Sequence, residues 1–246
     1  MKKFFLTLLC SFFCFASPLW ATTVEDLAQA LKAEKVFVVA DQEPVDGGPI
    51  GHFFLEAQGA HLLDLRIDEL NLEGGDVVIA PQDQWKGGEP RLEKAGNLAL
   101  YVKVTAQDID AYTDGARFYG GDVTDVTVEL GDDELTLKGT FMTTLWGISM
   151  PVKLSLQTGF EPRAPGTLWL RRPQVRTFGL RLPGGMQQKL LSKIEPLVDL
   201  NRWGVSADID QPTINAEAFT AATRRRPRPF FGTYTLTIPT QEIEHQ

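Results

Sequence analysis

Apolar and polar residues alternate with a period of two through most of residues 122–170, the longest stretch of the chain to keep one beat. Val126, Val128 and Leu130 alternate with Thr127 and Glu129; after the turn-forming Gly131-Asp132-Asp133, the beat passes to Leu135, Leu137, Phe141 and Leu145. Beyond Trp146-Gly147 it resumes in Ile148, Met150, Val152, Leu154 and Leu156. Successive side chains of a strand point to opposite faces, so each strand presents one apolar row. Short glycine-bearing turns fold such neighbours into antiparallel hairpins. The expected product is a long curved sheet with one apolar face, and whatever covers that face is the route to function.

The same period predicts strands at residues 36–40, across 53–80 and at 98–104, with others around Leu168 and Leu170 and at 178–182, 205–214 and 234–238. Within 53–80 the apolar phase changes at Asp68-Glu69, which reads as a bulge that bends the sheet. Residues 41–51 and 81–90 read as loops. Spacings of three and four predict three short helices. One opens at Thr23 with Asp26 at its third position and ends near Lys35. A second opens at Thr105 with Asp108 in the same role, turns Ile109 and Tyr112 inward and closes at Gly115. The third covers residues 186–197, where Met186, Leu190, Leu191, Ile194 and Leu197 share a face and Pro196 limits its length. This third helix is the candidate cover for the apolar sheet. Strands outweigh helices, so the expected class is α+β, β-dominant.

The start of the chain changes the picture. Residues 1–21 carry Lys2 and Lys3, an apolar run, and Leu19-Trp20-Ala21 as a cleavage site, the pattern of a secretory signal peptide. Both cysteines, Cys10 and Cys14, lie within it, so a mature chain of residues 22–246 has no thiol for a disulfide, a nucleophile or a metal. That chain is expected to be one exported domain, periplasmic or secreted. The formal charge of −8 conceals a division: acids dominate residues 22–162, whereas residues 163–230 are basic. A segregated basic segment suits transient contact with an anionic membrane surface, while export and the acidic total disfavour nucleic acid.

Catalytic chemistry has little to stand on. His52 and His61 lie in strand-rich sequence without the helical spacing of a zinc protease, and His245 is next to last. No nucleophile elbow, phosphate loop or dinucleotide fingerprint occurs, and Asp208 with Asp210 reads as a solvated strand row. No enzyme activity, metal or cofactor is expected. A curved sheet folded round a helix can instead enclose an elongated apolar cavity, with Met142 and Met150 as adaptable lining. Periodicity alone equally allows the same residues to pack an ordinary dry core.

A resemblance bears on that choice. Thr105 with Asp108-Ile109 opening a short helix, Leu137-Lys138-Gly139, Pro151-Val152, Gly166 with Leu168 and Leu170, and Leu182-Pro183 before a helix come in the order seen in the LmeA-like phospholipid-binding family, which this chain resembles over about residues 55–220. The resemblance implies a fold like that of tubular lipid-binding proteins and a phospholipid or other acyl lipid as partner, with a role in envelope lipid transport or homeostasis. Lipid would then lie between Phe141, Leu145, Met150, Val152, Leu154 and Leu156 on the sheet and Met186, Leu190 and Ile194 on the helix. Arg171, Arg172 and Arg176 are the headgroup candidates, since a guanidinium forks onto phosphate. The alternative is a structural or envelope-assembly module with a dry core.

Overall fold

The long alternating stretch forms the strands expected of it. In the computed structural model, which describes residues 31–42, 48–62, 65–79, 92–114, 123–145, 148–191, 198–199 and 207–238, β6 (Leu135–Leu145) and β7 (Ile148–Pro162) make one antiparallel hairpin. Their pairing runs from Leu135↔Thr158 to Leu145↔Ile148 without a shift. β5 (Val123–Leu130) flanks β6, and β8 (Thr167–Thr177) flanks β7. Each of these outer pairings has one irregularity, next to Asp125 and Arg172, whose φ values of 53° and 49° mark bulges. β9 (Leu180–Arg181) and β10 (Val198–Asp199) pair with opposite ends of β8 and complete a six-stranded antiparallel sheet.

The remaining strands form a second antiparallel sheet of seven rather than extending the first. β1 (Lys35–Ala40), β2 (Pro49–Leu62), β3 (Leu65–Ile79) and β4 (Leu92–Thr105) lie side by side. β12 (Ala218–Ala222) and then β11 (Thr213–Ile214) continue past β4, and β13 (Tyr234–Ile238) closes the other edge beside β1. The strand expected at 205–214 shrinks to β11 and an isolated bridge of Ile209 with Thr223, with Pro212, which has no N–H to give a ladder, between them. The class is α+β with β dominant, as the sequence indicates.

Helix α1 (Ala106–Thr113) joins the sheets, packing on β3 and β4 of one and β5 of the other. Its start follows the sequence: Asp108 N–H donates to Thr105 Oγ1 at 3.1 Å, and the Thr105 N–H and hydroxyl donate back to the Asp108 carboxylate. The other Asp108 oxygen accepts from Arg66 Nη1 at 3.0 Å, and Arg66 also donates twice to Glu34. Hydrogen bonding to Glu34, then to Asp108, raises the Arg66 pKa against the opposing effect of burial. The two sheets also meet where Phe160 packs edge-on against Phe219, with ring centroids 5.3 Å apart, and where Asp133 N–H donates to Ile214 C=O. One core cluster draws on both: Val38, Leu55, Ile67 and Val102 from the larger, Leu135, Phe160, Leu170 and Val175 from the smaller.

The change of apolar phase at Asp68-Glu69 is matched across the hairpin. β2 and β3 keep a single register, with Ala57↔Leu70 and then Ala60↔Ile67 as buried pairs, so both strands change face together between them. Gly59 permits this by adopting φ +62° opposite Asp68, close under the Glu34 side chain. The helix opening at Thr23, the loop at 81–90, Gly115 and Ile194 lie outside the described residues, as do the side chains of Leu145, Met150, Met186 and Leu190. α2 (Gly184–Leu191) starts two residues before the expected helix.

Two substitutions test this account. Thr105→Ala removes the cap of α1 and is expected to cost about 1 kcal/mol, a fall in Tm of about 2–4 °C by thermal denaturation. Gly59→Ala must hold a positive φ and place its Cβ 2.4 Å from a Glu34 carbon, so its cost in a denaturant titration should exceed about 1 kcal/mol.

Candidate functional site

The fixed register of β5 to β8 sorts the apolar positions into rows across the sheet. The first aligns Leu130, Leu135 and Thr158; the second aligns Val128, Leu137, Leu156 and Val175. Next come Gly139, Leu154, Thr177 and Leu180, then Phe141 with Val152, and finally Leu145 with Ile148. Of the six strand residues singled out from the sequence, Phe141, Val152, Leu154 and Leu156 therefore share one face of the β6–β7 hairpin.

Burial falls along these rows. Leu135 and Val175 belong to the core, and Leu137 and Leu156 are half-buried against it. Phe141, Val152 and Leu154 are half-buried as well, but among the described residues they stand beyond the core cluster. From Leu137 the β6 strand runs on for eight residues, about 27 Å at the rise of an antiparallel strand. An apolar face that outruns its core has surface to give to a ligand.

α2 sits against β8 by a specific contact. Gln187 Nε2 donates to Pro173 C=O at 2.6 Å, and its side-chain oxygen accepts from the Val175 N–H. Leu191, at the end of the helix, is buried in the core, and Leu182 packs against it from the preceding turn. Gln187 was not among the residues that periodicity picks out, because its role depends on a break in the β8 ladder at Pro173.

The three candidate headgroup arginines are placed differently. Arg171 crosses Gly159, where a Cβ would come within 2.7 Å of its guanidinium, and donates to the Asp133 carbonyl and carboxylate in the β5–β6 turn. Arg172 is exposed at the bulge of β8. Arg176 is also exposed, with Gln174 as its hydrogen-bond partner. By strand alternation Arg171 and Arg176 point away from the apolar rows.

The basic run at 224–228 serves the protein itself. Arg224 faces Asp208, Arg226 faces Asp210, and Arg225 Nη2 donates to Glu73, a carboxylate only 3% exposed within β3. Glu73 also accepts from the Arg228 N–H and bonds His52 Nε2 at 2.8 Å, while His52 stacks on Phe230. The carboxylate is satisfied on all sides, and His52 is occupied in holding it. Among the described residues no group of three His, Cys, Asp or Glu is arranged to hold a metal ion.

Comparison with known proteins gives the chain a family. The family model for LmeA-like phospholipid-binding proteins matches residues 24–223. No curated protein and no solved structure matches the chain. The match spans α1, all four strands that carry the apolar rows, α2 and the return strands to β12, so the chain belongs to the LmeA-like phospholipid-binding family.

Proposed function

We propose that this is an exported, non-enzymatic protein that holds the acyl chains of a phospholipid against the face formed by Phe141, Val152 and Leu154. The observation that carries the reading is that these three side chains continue the core face while standing, among the described residues, outside the core cluster, in a chain whose family binds phospholipid. Leu145 and Met150 extend the same face, and Met186, Leu190 and Ile194 are the helical side of the site. The length available, about 27 Å of strand, exceeds the depth of one bilayer leaflet, about 15 Å as half the hydrocarbon thickness. Each methylene removed from water contributes about 0.8 kcal/mol, so ten of them offer about 8 kcal/mol before ordering costs.

The first residues bear on the compartment. Lys2, Lys3 and the apolar run of residues 1–21, read as a signal peptide, support a periplasmic or secreted location, where a cysteine-free lipid carrier needs no redox partner. A role in envelope lipid transport or homeostasis fits that location.

Native mass spectrometry of protein purified from the periplasm without detergent should show phospholipid bound in a one-to-one complex. Leu154→Asp should lower its occupancy at least tenfold while leaving the far-ultraviolet circular dichroism intact. An apo mass that persists after incubation with liposomes would rule out the acyl-binding reading and favour a dry structural module. The stability of Phe141→Ala separates the two in another way. Lipid-free protein should lose less than about 1.5 kcal/mol, because Phe141 packs outside the core, whereas a dry core would lose the 3–5 kcal/mol usual for a buried Phe→Ala change.

A further inference from the structure

The β8–β9 hairpin has an unusual surface. Thr177 pairs with Leu180, so Phe178-Gly179 is a two-residue loop, and both of its residues have positive φ, as a type I′ turn requires. Phe178 is 75% exposed and Leu180 is 73% exposed. Phenylalanine is a poor choice for this backbone: its φ of 49° lies in the left-handed region, which Gly or Asn enters at less cost. The tip therefore shows two large apolar side chains to solvent, and one of them is held there against its own conformational preference.

The surroundings of the tip are cationic. Arg176 pairs directly with Arg181, like charges placed opposite one another, an arrangement that is destabilising until an anion joins it. Lys153 is exposed on the same face one row away, and its carbonyl accepts from Thr177 Oγ1. Among the described residues none of Arg172, Arg176, Arg181 or Lys153 is in an ion pair, whereas Arg171, Arg224, Arg225 and Arg226 all are. The sequence supplies no acid to neutralise them nearby: five arginines and two lysines, and no Asp or Glu, lie between Glu161 and Glu195.

Position completes the argument. Leu180 ends the row of Gly139, Leu154 and Thr177, so the exposed tip is continuous with the apolar face where that face leaves the core. We propose that the β8–β9 hairpin is a membrane-docking tip: Phe178 and Leu180 enter the interfacial layer of a bilayer, while Arg176, Arg181 and Lys153 bind the phosphates of anionic phospholipids. This deepens the acyl-lipid reading and rests on it for the purpose of docking, which sets the open end of the apolar face at the source of its ligand.

Flotation of the full mature protein with large unilamellar vesicles tests the docking. Vesicles are made of phosphatidylcholine alone or with added phosphatidylglycerol. Wild type should float with the anionic vesicles only. Arg181→Gln with Lys153→Gln should weaken that partitioning about 25-fold, from roughly fivefold per cation near an anionic surface. Phe178→Asn should weaken it at least tenfold, and since Asn suits the left-handed turn, its Tm should stay within about 2 °C of wild type. In parallel, uptake of a short-chain phosphatidylglycerol below its critical micelle concentration, read by native mass spectrometry, needs no bilayer and should be the same in all three proteins. Failure of wild type to float, equal flotation of the variants, or equal flotation on neutral vesicles would overturn the docking proposal. Absence of short-chain lipid uptake with flotation intact would instead overturn the acyl-lipid reading and leave the docking tip standing.

Discussion

The unbroken pairing of β6 with β7 is the constraint on which the rest of the smaller sheet depends. From Leu135↔Thr158 to Leu145↔Ile148 no residue is inserted, so every second side chain on both strands is committed to the same face. A slip of one residue would turn that whole set to the other side. β5 and β8 follow the hairpin in register and take their irregularities at Asp125 and Arg172, which lets them curve without disturbing the pair between them. The core needs only the Leu135 and Leu137 end of this face, but the pairing carries the apolar row to the far end of the hairpin. The face proposed to bind lipid is thus a by-product of a strand longer than the core it serves.

Charge divides the molecule in a second way. Arg66 holds α1 to β3 through Asp108 and Glu34, and Arg225, helped by the backbone N–H of Arg228, fastens the C-terminal segment across β3 through the buried Glu73. These cations are structural fasteners whose partners lie far off in sequence. Removing one partner of the Glu73 contact would leave a buried group without its hydrogen bond, which is costlier than the net gain of forming it. The cations around the β8–β9 turn have no such duty. Two basic segments of similar composition therefore do opposite things, one facing inward to the protein's own carboxylates and one facing out.

Much of this was readable from the chain because it is local. The period of two in residues 122–170 gave the hairpin and its apolar face, and Thr105 with Asp108 gave the start of α1, since a capping box is decided within four residues. What was not readable is what depends on distant partners. The division into two sheets turns on where α1 packs, which no periodicity records. Arg171 looks like its neighbours in sequence, yet the path over Gly159 to Asp133 takes it out of their company. The run at 224–228 could not be paired without knowing that Glu73 lies beneath it, 152 residues from Arg225. The β8–β9 turn did have a signal, a residue followed by glycine between two short apolar stretches, although Phe in place of the customary Asn or Asp disguises it.

That disguise has a consequence for how the protein could change. At position 178 the backbone prefers a small polar residue or glycine, while the tip presents an aromatic ring. Laboratory selection for heat resistance alone should drift away from Phe178, and each such step would make a tougher protein with a blunter tip. Selection for contact with lipid should pull the other way and retain the strain. Resistance to heat and adhesion to a membrane are therefore opposed at one residue of a two-residue loop, far from the core that sets most of the stability.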